Sequence, residues 1–316
     1  AEMTIAELTS IQEPTSPIII NEKYRTVDRL HLSDISTVYQ VDDLTTGQKK
    51  VLKLIKITDS NQKIIQNEID IMRSLNGCNY TVHLLDTFVF TDENGISAQC
   101  IVTPYAASGS LLSIMNQSHI YENSAQSIIR QVLLALQAMH NIGICHRDIK
   151  PENIFVVDWK PCNPQILLGD FGLSTFLSDG ETCQDRVGTN NYAAPEVHLN
   201  QPYDKSVDIW GLGVTLHYIL CRIFPLPDVK HKTYSKAISR KQVSIINLKR
   251  NQISEQAQSL FSAMCKINPS ERISIEDALK HPWIDIDDGK TSNPVVSEIA
   301  EAIGLNDDNT PYADGT

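Results

Sequence analysis

Two short stretches hold the residues able to do chemistry: His146-Arg147-Asp148-Ile149-Lys150-Pro151-Glu152-Asn153 and, after a loop, Asp170-Phe171-Gly172. Asp148 is a carboxylate suited to act as a base toward a hydroxyl, and Lys150 places a cation two residues on. Asn153 and Asp170 add an amide and a carboxylate whose hard oxygens suit Mg2+. Phosphoryl transfer asks a protein mainly to position groups and neutralise charge, so this set is the minimum that such chemistry needs. Spacing alone does not assign the roles, because an ordinary charged turn draws on the same residue types.

The surrounding chain must hold those side chains in place. Its 316 residues and 41% hydrophobic content fit about two domain-sized units with packed cores. No apolar run reaches eighteen residues, and the opening AEMTIAELTS lacks a basic region followed by an apolar one, so neither a membrane span nor a signal peptide is expected. A first residue of Ala points to a processed or trimmed chain. Seven cysteines, at 78, 100, 145, 162, 183, 221 and 265, are odd in number and show no CxxC pair, which fits free thiols in a reducing compartment. The net charge of -11 argues against nucleic-acid or anionic-membrane binding and favours basic partners, although acidity also serves solubility.

In chain order, residues 1–22 read as an extension with Pro14 and Pro17 that packs late, ending in the apolar Ile18-Ile19-Ile20. Alternating runs at 37–41 and 51–55, separated by the turn-like 42–47, predict antiparallel strands. Ile64, Ile65, Ile69, Met72 and Leu75 at helical spacing, with Gly77 beyond, predict one helix on that sheet. A further strand runs through 99–103. Beyond it the pattern turns helical, with Ile128, Ile129, Val132, Leu133, Leu136 and Met139 forming a core stripe. The tail 285–316 alternates acidic turns with a segment at 295–303 able to form an amphipathic helix, read as solvated rather than docked.

Taken in order, these motifs resemble those of eukaryotic serine/threonine protein kinases. The catalytic loop and the Asp-Phe-Gly stretch match, Lys53 stands at the strand lysine, and Glu68 is its natural ion-pair partner. Ala194-Pro195-Glu196 resembles the end of the activation segment, with Glu196 paired to Arg272. Asp208 in Ser206-Val207-Asp208-Ile209-Trp210-Gly211 resembles the aspartate that braces the catalytic loop. His281-Pro282-Trp283-Ile284 is similar to the closing motif of the calcium/calmodulin-dependent-like group. The resemblance covers about residues 24–284. It implies an α+β, two-lobed protein-kinase fold: an extension at 1–22, a small, mainly antiparallel β lobe with one main helix at 23–103, a hinge at 104–109, a larger, mainly helical lobe at 110–284 and the tail at 285–316.

The same resemblance implies the site. ATP and Mg2+ are the cofactors. Lys53 and Glu68 orient the phosphates, Asp148 positions the nucleophile, Lys150 reaches the transferring phosphate, and Asn153 and Asp170 hold magnesium. Leu30, Val38, Val51, Thr103, Tyr105 and Phe155 line the nucleotide slot, with Thr103 as gatekeeper and Val51 and Phe155 as bulkier residues above and below the ring. Arg147 couples the activation segment to the site, and Thr182, Asp185 and Thr189 are its marked positions. Glu152 is placed to contact arginine in a substrate. Protein substrates, no nucleic acid, no membrane, a monomer and a cytoplasmic or nuclear setting complete the expectation.

Two departures stand out. The three glycines of the family's phosphate loop are His31, Ser33 and Ser36, and a Cβ at each is expected to cost backbone freedom and weaken ATP binding. The usual phosphothreonine position falls on Asp185, whose fixed carboxylate is expected to form a bidentate pair with Arg147 without modification. The reading is therefore an active serine/threonine kinase. A pseudokinase scaffold is the rival, and a small-molecule kinase is disfavoured by the Gly188-Thr189 and Ala194-Pro195-Glu196 platform.

Overall fold

The computed structural model describes residues 5, 9, 16–92, 94–161, 163–227, 238 and 243–285. Two compact units result: one contains the described residues up to Gly77 together with Val82–Tyr105, the other Cys78–Thr81 and the described residues from Ala106 onward. The tail beyond residue 285, including the helix expected at 295–303, lies outside the described residues.

The first unit is an antiparallel sheet of six strands: β1 (Ile19–Ile20), β2 (Tyr24–Leu32), β3 (Ser36–Asp43), β4 (Lys49–Lys56), β5 (Asp86–Thr91) and β6 (Ser97–Pro104), in the order β1-β2-β3-β4-β6-β5. Strict alternation along β4 sends Leu52 and Leu54, both fully buried, to one face and Lys53 to the other. The β3–β4 turn is fixed by Asp43, whose Oδ1 accepts the N–H groups of Thr45 and Thr46 and whose Oδ2 pairs with Lys50 at 2.6 Å.

Helix α1 (Gln62–Leu75) follows β4, buries Ile65, Glu68, Ile69, Met72 and Leu75, and gives way to Gly77 at φ +91°. Ile64, counted with the apolar stripe in the sequence, is 58% exposed, because it stands one residue off the buried face. The stretch read as an extension is also part of the core. Ile20 is fully buried, β1 pairs with β2, and Ile5 is 1% exposed.

The second unit is helical: α2 (Leu111–Gln117), α3 (Glu122–Asn141), α4 (Pro195–His198), α5 (Ser206–Cys221), α6 (Ile246–Arg250), α7 (Glu255–Met264) and α8 (Ile275–Leu279). The strand pairs β7 (Ile144–Cys145) with β10 (Thr175–Phe176), and β8 (Ile154–Asp158) with β9 (Gln165–Leu168), lie among them. The six apolar stripe residues of α3 are all fully buried. Helix α5 is buried around almost its whole circumference, mostly through apolar residues but with Asp208, Thr215 and His217 among them. A Cβ at Gly213 would meet Cys265 Sγ at 2.6 Å, so the glycine permits its close packing on the end of α7. Glu122, at the start of α3, accepts from Trp283 Nε1 at 2.8 Å and from the Ser254 N–H, anchoring the closing tryptophan. No helix among the described residues is long and apolar enough to cross a membrane.

Candidate active site

The sheet and helix of the first unit bring Lys53 and Glu68 together. The Lys53 ammonium lies 2.6 Å from Glu68 Oε1, with the two side chains 25% and 7% exposed. Val38 faces Lys53 across β3–β4, and Val51 faces Thr103 across β4–β6. Leu30 falls in the register shift between Arg29 and His31 and is half exposed. Thr103 and Tyr105 are both partly exposed at the end of β6.

The β2–β3 turn corrects the expectation about its missing glycines. None of His31, Ser33 and Ser36 has a positive φ, so no left-handed strain is imposed on these side chains. Instead the two serines tie the turn together. The Ser33 N–H donates to Ser36 O at 2.9 Å, the Ser36 N–H donates to Ser33 Oγ at 3.1 Å, and the two hydroxyls lie 3.1 Å apart.

In the second unit the catalytic loop hangs from one buried carboxylate. Asp208 accepts the backbone N–H of His146 at 2.9 Å and of Arg147 at 2.7 Å, and its Oδ2 lies 2.8 Å from His140 Nε2. Those bonds hold Arg147 at φ +69°. Burial pushes the Asp208 carboxyl up, but the His140 and His146 contacts outweigh it and leave it below the ordinary range. His146, fully buried, contacts Gly169 O through Nε2 at 3.1 Å and accepts the Asp148 N–H on Nδ1 at 3.3 Å. The sequence reading gave His146 no role. Its signal is a histidine two residues before the base in an apolar stretch.

Asp148 is surrounded by donors. Oδ1 accepts the Thr189 N–H at 3.0 Å and its hydroxyl at 2.7 Å, while Oδ2 takes Asn153 Nδ2 at 3.0 Å and Lys150 Nζ at 2.7 Å. Lys150 also donates to Thr189 Oγ1 at 2.7 Å. Burial raises the Asp148 carboxyl, and the Lys150 and Thr189 hydrogen bonds with the Lys150 charge bring it net below its usual value. The carboxylate is thus ionised at neutral pH. Asn153 Nδ2 also donates to Asp148 O at 2.9 Å, so the amide nitrogen is committed and the amide oxygen remains as an acceptor. Asp170 is exposed at φ +61° just ahead of the buried Phe171. One amide oxygen and one carboxylate are the hard donors that Mg2+ takes, with phosphate oxygens and water completing its shell. The donor set therefore fits the ion.

The loop carrying Thr189 depends on Gly188, which has φ +101°, and a Cβ there would meet Arg147 O at 2.8 Å. Arg147 donates to Asp185 Oδ2 from Nη1 at 2.8 Å, while Nε donates to Leu173 O and Nη1 also reaches Tyr203 OH. The bidentate pair expected with Asp185 is therefore not formed: Nη1 meets one carboxylate oxygen and is shared with Tyr203 OH, while Nε turns to Leu173 O. Tyr203, missed in the sequence, closes the arrangement by donating its hydroxyl to Asp185 O at 3.0 Å. Thr182 is exposed upstream.

Behind the segment, Arg272 grips Glu196 with Nη1 to Oε1 at 2.6 Å and Nη2 to Oε2 at 2.7 Å, both side chains almost wholly buried. Its guanidinium also lies 5.2 Å from the Trp210 ring centre. Among the described residues, Glu152 Oε2 is a buried carboxylate oxygen without a hydrogen-bond partner. Phe155 is partly exposed on β8, bridged to Ser110 and paired with Leu167.

Comparison with known proteins agrees with this arrangement. The protein kinase domain profile matches residues 29–284. The chain is 32% identical over 84% of its length to calcium-dependent protein kinase 21 of Arabidopsis thaliana, covering 50% of that protein. It is 31% identical over 79% of its length to a probable myosin light chain kinase of Dictyostelium discoideum, covering 63% of it. Against calcium/calmodulin-dependent protein kinase type 1 of Caenorhabditis elegans it is 32% identical over 86% of its length and covers 77% of that protein. The chain thus spans about half the length of the calcium-dependent kinases it matches. With a profile match over most of its length and the catalytic loop, Lys53–Glu68 pair and Glu196–Arg272 clamp all formed, the chain belongs to the protein kinase family.

Proposed function

We propose that the chain is a serine/threonine protein kinase that transfers the γ-phosphate of Mg-ATP to a hydroxyl of a protein substrate. The observation that carries this reading is the Asp148 carboxylate, ionised and held by Lys150, Asn153 and Thr189. A substrate hydroxyl taking the place of the Thr189 hydroxyl would find the same acceptor and the same ammonium beside it. Bound magnesium supplies charge neutralisation on the phosphates, and Asn153 and Asp170 are the residues that hold it. Lys53, paired with Glu68, is the cation for the α and β phosphates, while Leu30, Val38, Val51, Thr103 and Tyr105 of the first unit and Phe155 of the second are the residues expected to contact the base. The working division is a small lobe at 23–103, a hinge at 104–109 and a large lobe at 110–284.

Three finer points go with it. ATP affinity is weakened, because two backbone N–H groups of the β2–β3 turn are already engaged by Ser33 and Ser36 rather than open to phosphate. Activation-segment order does not require phosphorylation, since Asp185 already meets Arg147. Basic residues near the target are favoured by the position of Glu152 beside the catalytic loop asparagine and by the net charge of -11.

The serine-closed turn also supports a second reading, a scaffold that binds partners without catalysis. The deciding experiment follows labelled phosphate from Mg-ATP to an arginine-containing serine/threonine peptide over a wide ATP range, beside Asp148→Asn. Transfer that saturates only at high ATP and disappears in the variant is the expected result. No transfer from the folded chain to that peptide, to mixed proteins or to itself would hand the case to the scaffold.

A further inference from the structure

The face of the first sheet turned away from Lys53 is covered by an unexpected part of the chain. Tyr24, Tyr39, Val41, Leu52, Leu54 and Val102 make a cluster at most 2% exposed on that face, and Ile5 closes it together with Ile18 and Ile20. Ile5 is held as a specific fit. Its N–H donates to Asp92 Oδ2 at 2.8 Å, and its carbonyl accepts both the N–H of Thr9 at 2.9 Å and the Thr9 hydroxyl at 2.8 Å. Asp92 is itself a built receptor: 8% exposed, it takes the N–H groups of Asn94 and Ile96 on its other oxygen at 3.0 and 2.9 Å, and so fixes the β5–β6 turn.

We propose that Ile5, seated on Asp92, is an intramolecular clamp that sets the nucleotide affinity of the first unit, with Ile5 and Asp92 as positioning residues. The connection runs through β4. Leu52 and Leu54 touch the cluster that Ile5 seals, and Lys53 between them carries the ammonium to Glu68 on the opposite face. A well-packed layer transmits a lost neighbour as a shift or loosening of the strand, so an unseated Ile5 frees β4 and spreads the Lys53–Glu68 pair. This inference rests on the kinase reading for its consequence but not for its geometry.

The test uses the full chain with Ile5→Val, Ile5→Ala and Asp92→Asn. Ile5→Val removes one carbon and stays folded even if the other two do not. Mg-ATP dissociation constants are measured well below the unfolding temperature, with hydrogen exchange of the β4 and β6 amides alongside. Dissociation constants rising through the series, to about fivefold for Ile5→Ala, with faster β4 exchange and a kcat at saturating ATP close to the parent's, are expected. Variants that lose only thermal stability while binding Mg-ATP as tightly as the parent overturn the clamp and leave the kinase reading intact. Should the parent bind no Mg-ATP, the kinase reading falls; β4 exchange then decides the clamp, unchanged protection overturning it.

Discussion

Asp148 accepts four donors on two oxygens, and a carboxylate held below its ordinary range is a poor proton sink in the ground state. On the proposed kinase reading, its work is to orient a hydroxyl and to receive the proton late, as the bond to phosphorus forms. Asp148→Asn keeps the volume and one acceptor but loses the charge, so transfer should drop by about 10²–10⁴-fold with Mg-ATP binding little changed, read by single-turnover transfer beside equilibrium binding. At the turn tip, Ser33→Gly with Ser36→Gly releases the Ser36 N–H, and the dissociation constant for Mg-ATP is expected to fall; an unchanged constant would show that the engaged N–H groups are not what limits affinity. Asp185→Ala removes the Arg147 partner. Because Asp185 is 63% exposed, stability should change by less than about 1 kcal/mol, while kcat falls as the segment loses its tether. Full activity in that variant would remove Asp185 from the activation argument.

Among the elements, the segment from 182 to 196 depends on two fixed points. Glu196 and Arg272 form a buried bidentate pair, and Glu196→Ala strands the guanidinium beside Trp210, a loss of about 3–5 kcal/mol that denaturant unfolding would detect. Gly188→Ala meets both a positive φ and the Arg147 carbonyl, so it should displace Thr189 from Asp148 and cut transfer more than stability. Much of this was legible in the sequence. The α3 stripe follows from local periodicity, while the catalytic loop, the Lys53–Glu68 pair and the Asp208 brace were legible through motifs that resemble those of protein kinases. What was not legible depends on long-range packing. Nothing around Ile5 signals that it reaches the sheet, since its partner Asp92 is 87 residues away. Ser33 and Ser36 read as lost glycines because sequence shows a missing residue type but not the hydrogen bonds that replace it. Tyr203 stayed hidden for the same reason, and the bidentate Asp185 contact was overcounted because the other claims on Arg147 come from elsewhere in the chain.

For the molecule as a whole, acid response follows from the buried carboxylates. Asp208 and Asp148 have folded-state values below the ordinary 3.8, so their stabilisation is fully present above that value and is lost as pH falls through the folded ones. His217 is depressed below 6.5 by burial, so the neutral ring is favoured in the fold and its contribution begins to fade as pH drops below 6.5. Denaturant midpoints should therefore decline gently below pH 6.5 and steeply below about pH 4, with Asp208→Asn flattening the second limb from an already lower plateau. The contact between Arg147 and Asp185 has a consequence of another kind. Its basic end is buried and its acidic end stands in water, so dissolved ions reach only one side of it. Raising ionic strength from 0.1 to 1 M shortens the screening length from about 10 to about 3 Å, and a single carboxylate has half the charge, or a little more, that a phosphate would hold there. If the Arg147–Asp185 contact stands in for a phosphate as proposed, catalysis by this chain should therefore slow with added salt more steeply than that of a relative whose segment is held by a phosphate, and the ionic medium would act as a dial on the segment.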